Sequence, residues 1–374
     1  MKGAPTQQTA NQISTGLLPS ALGVGGKTRQ NDLDVAFQFT FFTGTNSSGA
    51  GSGGFGGHGA QGNSLNIRQS FLSFGDKSWG TIKMGRDLGV FGSDAILSDM
   101  TLLGVGQGAG GAGNSTLGRI GSGYLYADWV GQIQYASPNW NGFSFAVAAR
   151  EPWANSSNHD LGFDGKVSYE WAGDVSGKVW AGGIHQKIRT AGTAAVAAVP
   201  GVNVSTTGAS VITIGGVSGS SATPSNTESA NAWEIGGKVS VAGFGLVGYY
   251  YDGKNIGLPV MANATELTGL FLGASGTTSH DVKGGYVQGT YTIPNVGTKI
   301  GLSWGESKYD NNHSDGPGTG EFKDESWIIG VYHPLTKSLN LVAEYTDTKI
   351  QNNNLVKTLD GKARTLGLGA ILFF

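Results

Sequence analysis

The chain ends on the stretch Thr365-Leu366-Gly367-Leu368-Gly369-Ala370-Ile371-Leu372-Phe373-Phe374, in which residue character alternates with a period of two. Side chains of a β-strand point alternately to its two faces, so every second residue shares a face. One face is continuously apolar: Leu366, Leu368, Ala370, Leu372 and Phe374. The residues on the other face are mostly small. Such a strand covers either a protein core or lipid, whereas soluble domains usually end in a hydrophilic segment.

The same alternation recurs along most of the chain. Residues 33–41, 233–241 and 339–345 alternate apolar side chains with small or polar ones. The polar faces are rich in Gly, Ser, Ala and Gln, whereas the water-facing side of a β-sandwich would be crowded with Lys, Glu and Thr. Alternation of this kind predicts an all-β protein. About fourteen strands are predicted: 31–43, 64–75, 78–87, 128–137, 142–150, 163–172, 176–187, 231–241, 243–252, 282–292, 296–307, 323–333, 338–349 and 363–374.

The connections between these strands alternate between short and long. The short ones are 76–77, 137–141, 173–175, 242, 293–295 and 333–337, and the long ones are 44–63, 88–127, 151–162, 188–230, 253–281, 308–322 and 350–362. A transmembrane antiparallel β-barrel has short turns at one end and long loops at the other. Strands of about ten residues suit its tilted span. A large soluble sandwich or solenoid, the alternative, has no reason to place every long loop at one end.

Composition excludes several other classes of protein. Gly makes up 65 of the 374 residues, while charged residues are only 13% and the net charge is -2. No basic cluster marks a nucleic-acid surface. The chain has no cysteine, which excludes disulfides and thiolate metal sites. No stretch approaches the roughly 20 apolar residues of a membrane helix.

Four features of the chain come in a characteristic order. A strand at 67–75 leads through a tight turn to a second strand at 79–86, and the long connection 88–127 follows. The turn at 137–143 reads Ser-Pro-Asn-Trp-Asn-Gly-Phe, and the chain ends on Phe374. Together these features resemble the general porins of Gram-negative outer membranes, especially the β-proteobacterial type.

The resemblance implies a fold, a function and partners. The fold would be a sixteen-stranded transmembrane β-barrel over 31–374, with long external loops, short periplasmic turns and 88–127 as the constriction loop. The protein would be a trimeric outer-membrane channel for passive diffusion of small hydrophilic solutes and ions, with no enzymatic activity, cofactor or metal. Its surroundings would be outer-membrane lipid, and the assembly machinery would read Phe374. The loop 44–63, tipped by Phe55 and His58, would latch onto a neighbouring subunit.

The first residues depart from the family pattern. The constriction loop follows the third predicted strand here, whereas it follows the fifth in the family. Residues 1–30 are therefore expected to be an irregular segment or an incomplete first hairpin. The start also lacks an export signal. We expect the native protein to continue upstream with a signal peptide and about one further hairpin, or else the barrel is natively smaller.

The resemblance also implies the charged residues of the pore. Acids of the constriction loop, Asp94 and Asp99, would face Arg68, Lys83 and Arg119, with Arg86 at the root of the loop. A transverse field of this kind filters solutes by charge. The alternative for each residue is an ordinary solvated charge of the lumen or loop. Lys166 and Lys238 also have lumen parity.

Other functions have weaker support in the sequence. A substrate-specific channel, for example for sugars, would use an aromatic slide; the candidates are Trp129, Trp153, Trp171, Trp180, Trp304 and Trp327. A barrel enzyme would need Ser or Asp paired with His near the external rim, but the six histidines show no triad spacing. Two glycine-rich matches to the nucleotide motif, at 51–56 and 108–113, lack the required strand–helix context. The run 310–316 lacks the register of a calcium loop.

Overall fold

The computed structural model describes residues 9, 11, 13–44, 65–107, 115–153, 160–190, 202–205, 211–214, 226–256, 280–311, 321–352 and 360–374. Within these residues, fifteen antiparallel strands form one sheet in which neighbours follow the order of the chain. A separate antiparallel pair, Val202–Ser205 with Val211–Ile214, lies within the connection between Thr190 and Asn226. The predicted all-β antiparallel class is confirmed.

The strands have the following bounds: β1 (Ser20–Gln30), β2 (Leu33–Thr43), β3 (Asn66–Asp76), β4 (Gly80–Leu88), β5 (Trp129–Ala136), β6 (Phe143–Arg150), β7 (Gly162–Trp171), β8 (Val175–Thr190), β9 (Val202–Ser205), β10 (Val211–Ile214), β11 (Asn226–Val241), β12 (Phe244–Lys254), β13 (His280–Thr292), β14 (Lys299–Asn311), β15 (Glu321–Pro334), β16 (Leu339–Asn352) and β17 (Gly361–Leu372). Two short helices interrupt the connection from β4 to β5. They are α1 (Ser93–Ser98) and a 3₁₀ helix (Met100–Leu103).

Each of the fourteen predicted strands is present in the sheet, and β1 is an additional strand there; β9 and β10 lie within 188–230, which was predicted as a long connection. Residues 1–30 were expected to be irregular or an incomplete hairpin, but Ser20–Gln30 pairs along its whole length with β2. The residues on the inner face of β1 are small because the Gln38 side chain lies across that face. A Cβ at Gly25 would overlap Gln38 Oε1. Glycines that signal irregular backbone in a sequence are here required by cross-strand packing. The constriction loop therefore follows the fourth strand, not the third.

The two faces of the sheet differ in polarity as the alternation predicts. On the outer face, Leu302, Ile329, Tyr345 and Leu366 are successive cross-strand neighbours, and each is more than 40% exposed. On the inner face, the adjacent row is Ser303, Ile328, Thr346 and Thr365. Exposed apolar side chains of this kind form the band that a lipid-facing barrel presents.

Short and long connections lie at opposite ends of the sheet. Two-residue turns join β1 to β2 through Asn31 and Asp32, and β11 to β12 through Ala242 and Gly243, all four with positive φ. Such turns match the twist of the flanking strands. The long connections, which include 89–128, all lie at the other end, which we call the loop end. The predicted arrangement of short turns and long loops is confirmed.

The first and last strands are the two ends of the sheet order. Backbone pairing between β1 and β17 is absent from the described residues, and nearly every residue of β1 is exposed. No helix in the described part of the chain is long and apolar enough to cross a membrane.

Adjacent residues of β17 test which face meets lipid. Leu368 is 74% exposed on the outer face, whereas a side chain added at Gly369 points to the inner face and meets open space. We expect Leu368→Arg to lower the free energy of unfolding from lipid vesicles by about 2–4 kcal/mol, the range for a cation at mid-bilayer. Gly369→Arg is the matched control and should change it far less. Equal losses in a denaturant titration would contradict the assignment of the faces.

Candidate pore constriction

In the connection between β4 and β5, the described residues 89–107 and 115–128 fold back against the inner face of the sheet. Its apolar residues Phe91, Ile96, Leu117 and Tyr124 are almost fully buried. They pack in one cluster with inner-wall side chains, namely Trp180, Ile184, Val247, Tyr249, Tyr251, Val282, Tyr286 and Tyr309. Because these wall side chains belong to β8 and β12–β14, the loop covers the inner surface of those strands.

Acidic side chains of the wall hold the start of the loop. Asp164 on β7 accepts hydrogen bonds from the backbone N–H groups of Val90 and Phe91, at 3.1 and 3.2 Å. Glu234 on β11 accepts one from the N–H of Gly92 at 3.0 Å and another from the hydroxyl of Tyr249 at 2.8 Å. Carboxylates that accept from successive N–H groups form strong, charge-assisted bonds.

The far part of the loop is held in the same way. Glu344 on β16 accepts hydrogen bonds from the N–H groups of Val105 and Gly106, at 2.8 and 2.5 Å. The hydroxyl of Tyr332 donates to the other oxygen of Glu344 at 2.5 Å. A Cβ at Gly104 would overlap this carboxylate, so the approach requires glycine there. The loop is thus fastened from β7 to β16.

Side-chain amides hold the middle of the loop. Gln288 on β13 accepts a hydrogen bond from the N–H of Met100 at 2.7 Å and donates to the carbonyl of Ser98 at 3.1 Å. Gln107 on the loop donates to Asp324 on β15 at 3.0 Å. These contacts join the loop to β13 and β15, between the strands that hold its two ends, so its path follows the inner wall.

Arg119, which was predicted to line the pore, is fully buried inside the loop. Its guanidinium donates to the hydroxyl of Ser303 at 2.6 Å, to the hydroxyl of Ser326 at 3.1 Å and to the carbonyl of Ser122 at 3.2 Å. Burial lowers the pKa of the guanidinium, and the charge of Asp99 opposes that effect. Arg119 therefore fastens the loop to β14 and β15 rather than meeting solutes.

Asp99 also lies inside the loop, only 4% exposed. It caps the 3₁₀ helix by accepting from the N–H and hydroxyl of Thr101, at 2.9 and 2.7 Å. It also accepts from the hydroxyl of Tyr124 at 2.8 Å, and burial followed by the Asp99 charge raises the pKa of this tyrosine. A carboxylate with these partners is structural.

Asp94 is the loop acid that meets basic wall residues, but these are not Arg68 and Lys83. It lies in the first turn of α1 and forms ion pairs with Lys166 on β7 at 2.7 Å and Lys178 on β8 at 2.5 Å. Burial alone would raise the pKa of Asp94, but the two lysines outweigh it and the pKa is lowered. The two lysine side chains keep 19% and 16% of their surface exposed, so the cluster lies at the edge of the loop.

The basic residues expected opposite Asp94 have partners of their own on the strands. Lys83 forms an ion pair with Asp87 on its own strand, and Gln69 donates to the same carboxylate at 2.9 Å. The guanidinium of Arg68 lies over the ring of Phe42, 4.6 Å from its centroid. Strand alternation places Arg86 opposite Gly131, on the other face of β4 from Lys83 and Asp87. The six residues predicted for the constriction therefore do not form one site.

The wall residues that hold the loop in place were not predicted from the sequence. These are Asp164, Lys178, Glu234, Gln288, Asp324 and Glu344, all at inner-face positions. The only signal in the sequence was an isolated charge on the small-residue face of a strand. In the part of the chain that the structure describes, no three His, Asp or Glu side chains are grouped to hold a metal ion.

The predicted loop features at 51–56, 108–113, Phe55, His58, His159 and His313 lie outside the described residues, as does most of the run 310–316. Four of the six candidate tryptophans do not line an open path. Trp153 and Trp180 are buried at 4% and 2% exposure. Trp304 and Trp327 face each other on the outer surface with ring centroids 6.1 Å apart.

Removal of one wall carboxylate tests the fastening of the loop. Glu344→Ala leaves the N–H groups of Val105 and Gly106 without this acceptor, at about 1–3 kcal/mol for each buried group. We expect larger conductance fluctuations in single-channel recordings. Glu344→Gln keeps an acceptor oxygen for these groups and is the matched control, with quieter recordings than the alanine variant. Identical traces for wild type and Glu344→Ala would contradict this role.

The sequence and the fold of the chain are both similar to those of known proteins. A family model described as Gram-negative porin matches residues 2–353, while no curated protein matches the chain. The outer membrane channel DcaP of Acinetobacter baumannii is 13% identical with a TM-score of 0.62, over 96% of this chain and 86% of that one. OmpF of Salmonella typhi, in complex with daunomycin, is 16% identical with a TM-score of 0.57, over 99% and 93%. OmpT of Vibrio cholerae in its trimer form is 14% identical with a TM-score of 0.53, over 95% and 91%. These likenesses in structure, together with the match over nearly the whole sequence, show that the chain belongs to the Gram-negative porin family and is an outer-membrane channel for small solutes.

Proposed function

We propose that this porin is a passive, non-enzymatic pore whose charge filter is formed by Asp94, Lys166 and Lys178. The observation that supports it is the pair of ion pairs that Asp94 makes at the edge of the inward-folded loop. Both lysines retain contact with water, whereas Asp99 and Arg119 are enclosed by the loop. Only charges that meet the water-filled path act strongly on passing ions, because a pore selects by the field along its lining.

The charge balance around this cluster favours anions. Lys178 has Glu170 and Lys238 as its cross-strand neighbours on the inner face, and both neighbours are exposed. At these inner-face positions three lysines, Lys166, Lys178 and Lys238, accompany two carboxylates, those of Asp94 and Glu170. The two lysines lower the pKa of Asp94 below its ordinary value of 3.8, so this carboxylate stays ionised at mildly acidic pH.

The two other candidate functions have less support among the described residues. A sugar slide needs aromatic rings along an open path, but Trp153 and Trp180 are buried and Trp304 and Trp327 lie on the outer face. For an enzyme, His185 contacts Asn231 and His333 contacts Thr298. Neither partner is the carboxylate that orients a catalytic histidine.

Substitutions in the cluster test the filter. We expect Asp94→Asn to move the reversal potential toward stronger anion preference, because the lysines lose their loop carboxylate. Lys166→Gln with Lys178→Gln should move it toward cations. Both shifts should shrink when the measurement is repeated in 1 M salt, where the Debye length falls to about 3 Å.

Asp99→Asn is the matched control for Asp94→Asn. It removes a loop carboxylate that is sealed from the water path, so the reversal potential should stay near that of the wild type. A shift for Asp99→Asn equal to that for Asp94→Asn would place the filter elsewhere. A bilayer recording with no ion current from the folded wild type would contradict the pore itself.

We also infer a homotrimer. Outer-face residues of β1–β3 are apolar and exposed, among them Leu22, Val24, Phe37, Phe39 and Leu72, and the similar OmpT structure is a trimer form. Contact with lipid across the rest of the outer face, and recognition of the exposed Phe374 by assembly machinery, are further parts of this proposal.

The oligomeric state can be measured directly. We expect light scattering of the detergent-extracted protein to give three chains per particle. Phe37→Lys with Phe39→Lys should shift the particles toward single chains, because like charges would then meet at the interface. Val167→Lys with Val179→Lys, on the outer face of β7 and β8, is the matched control and should leave the trimer intact. Monomeric wild-type particles would contradict the inference.

A further inference from the structure

The segment that precedes β1, residues 13–19, lies on the inner side of the sheet against the constriction loop, and we call it the strap. Leu17 in the strap is 4% exposed and packs in the same apolar cluster as Leu117 and Ile120 of the loop. Ile13, at the start of the strap, is 90% exposed. The strap is therefore buried where it meets the loop and exposed at its beginning.

Two backbone hydrogen bonds join the strap to the loop. The N–H of Leu17 donates to the carbonyl of Gly104 at 2.9 Å, and the N–H of Thr116 donates to the carbonyl of Gly16 at 3.1 Å. Gly104 belongs to the first described stretch of the loop and Thr116 to the second. The strap thus ties the two stretches of the loop to each other.

The close approach of strap and loop depends on two glycines. A Cβ at Gly16 would lie 2.2 Å from the carbonyl oxygen of Gly104, which is backbone and cannot turn aside. Gly118 has a φ of +57°, and a Cβ there would lie 2.5 Å from Cδ2 of Leu17. Glycine is the residue that permits backbones to come this near, so a side chain at either position would separate the strap from the loop.

The part of the loop that the strap holds also reaches the last strands of the sheet. Glu344 on β16 accepts from the N–H groups of Val105 and Gly106, and the hydroxyl of Thr346 donates to the carbonyl of Gly106 at 2.8 Å. On β17, a Cβ at Gly367 would lie 3.0 Å from the side chain of Val105. Because the strap continues directly into β1, it connects the first strand through the loop to β16 and β17.

The charge filter is fastened at a different place. Asp94 lies in α1, and the three residues before α1 are held by Asp164 on β7 and Glu234 on β11. The strap bonds instead to Gly104 and Thr116. The loop therefore has one anchorage that fixes the charge of the filter and another that fixes its later part.

We propose that Gly16 and Leu17 are positioning residues that set the width of the open pore separately from its charge preference. The strap holds the later part of the loop, which includes Gly104 and Thr116, against β16 and β17. With the strap released, this part keeps only its bonds to the wall and gains alternative positions within the water path. The width of that path governs how many ions pass, whereas the charges along it govern which ions are preferred.

The first test is single-channel recording of the full chain in a planar bilayer. Gly16→Ala places a methyl group against the carbonyl of Gly104, and Leu17→Ser removes the buried apolar contact. We expect both variants to switch between two or more conductance levels where the wild type holds one. Their reversal potentials should equal that of the wild type, because Asp94 keeps its own anchorage.

Each variant has a matched control. Gly369→Ala adds the same methyl group at an inner-face position that has open space around it, and Ile13→Ser makes an equivalent apolar-to-serine change at the exposed start of the strap. Both controls should keep one steady conductance level. The folded fraction of every variant is compared by the heat-dependent shift in gel mobility, so that a loss of folding is not mistaken for release of the strap.

A thiol probe measures the release itself, since the chain has no cysteine. Leu117→Cys places a thiol at a position that is 8% exposed in the cluster with Leu17. We expect a water-soluble thiol reagent to label it about tenfold faster when Gly16→Ala is added, the factor that corresponds to the net loss of about one backbone hydrogen bond. Addition of Ile13→Ser should leave the labelling rate within about twofold.

Steady conductance in both Gly16→Ala and Leu17→Ser, with an unchanged labelling rate, would overturn the proposal. Equal effects in the controls would overturn it as well. A reversal potential that moves together with the conductance would show that strap and filter act as one unit, which contradicts their separate roles. If Gly16→Ala does not fold, Leu17→Ser decides the outcome in both measurements, because it leaves the backbone of the strap unchanged.

Discussion

Carboxylates of the inner wall accept hydrogen bonds from peptide N–H groups of the constriction loop, and the positions of the other pore residues depend on this interaction. Asp164 holds two successive N–H groups at one end of the loop and Glu344 holds two at the other. A loop placed inside a barrel would otherwise bury backbone donors without partners, at about 1–3 kcal/mol each. The wall acids remove that penalty and fix the path of the loop. Asp94 reaches Lys166 and Lys178 because the preceding residues are fastened to β7 and β11.

The alternation of side chains was sufficient to predict the sheet, but not its first strand. Fourteen strands follow from faces that differ in polarity, a property that lipid outside and water inside impose on each strand separately. In β1 the contrast is weak, because its inner face is glycine where Gln38 crosses it. Leu22 and Val24 are its only large apolar residues, too few to separate a strand from a loop by periodicity. The alternation within a single strand does not identify that strand when the residues of its inner face are set by side chains of the neighbouring strand.

The constriction was harder to predict for a different physical reason. A loop acid looks functional in a sequence, yet Asp99 caps a helix and Arg119 bonds to serines of the wall. The acids that matter for architecture, Asp164, Glu234 and Glu344, are single residues on three strands far apart in the chain. Nothing in the local sequence distinguishes these acids, because their partners are backbone groups and every residue type except proline supplies an N–H. Only the folded path of the loop shows which inner-face charges it meets.

Strand geometry also explains why the net charge of -2 says little about this protein. On β16, Glu344 points inward to the loop backbone, whereas Asp347 points outward to Lys362 and Arg364. The two carboxylates are three residues apart and lie on opposite sides of the sheet, where they have different partners. Their charges therefore act in separate places, one on the shape of the pore and the other on the outer surface of the sheet. A sum over the chain cancels charges that never meet, so the side of the sheet on which each charge lies decides what it does.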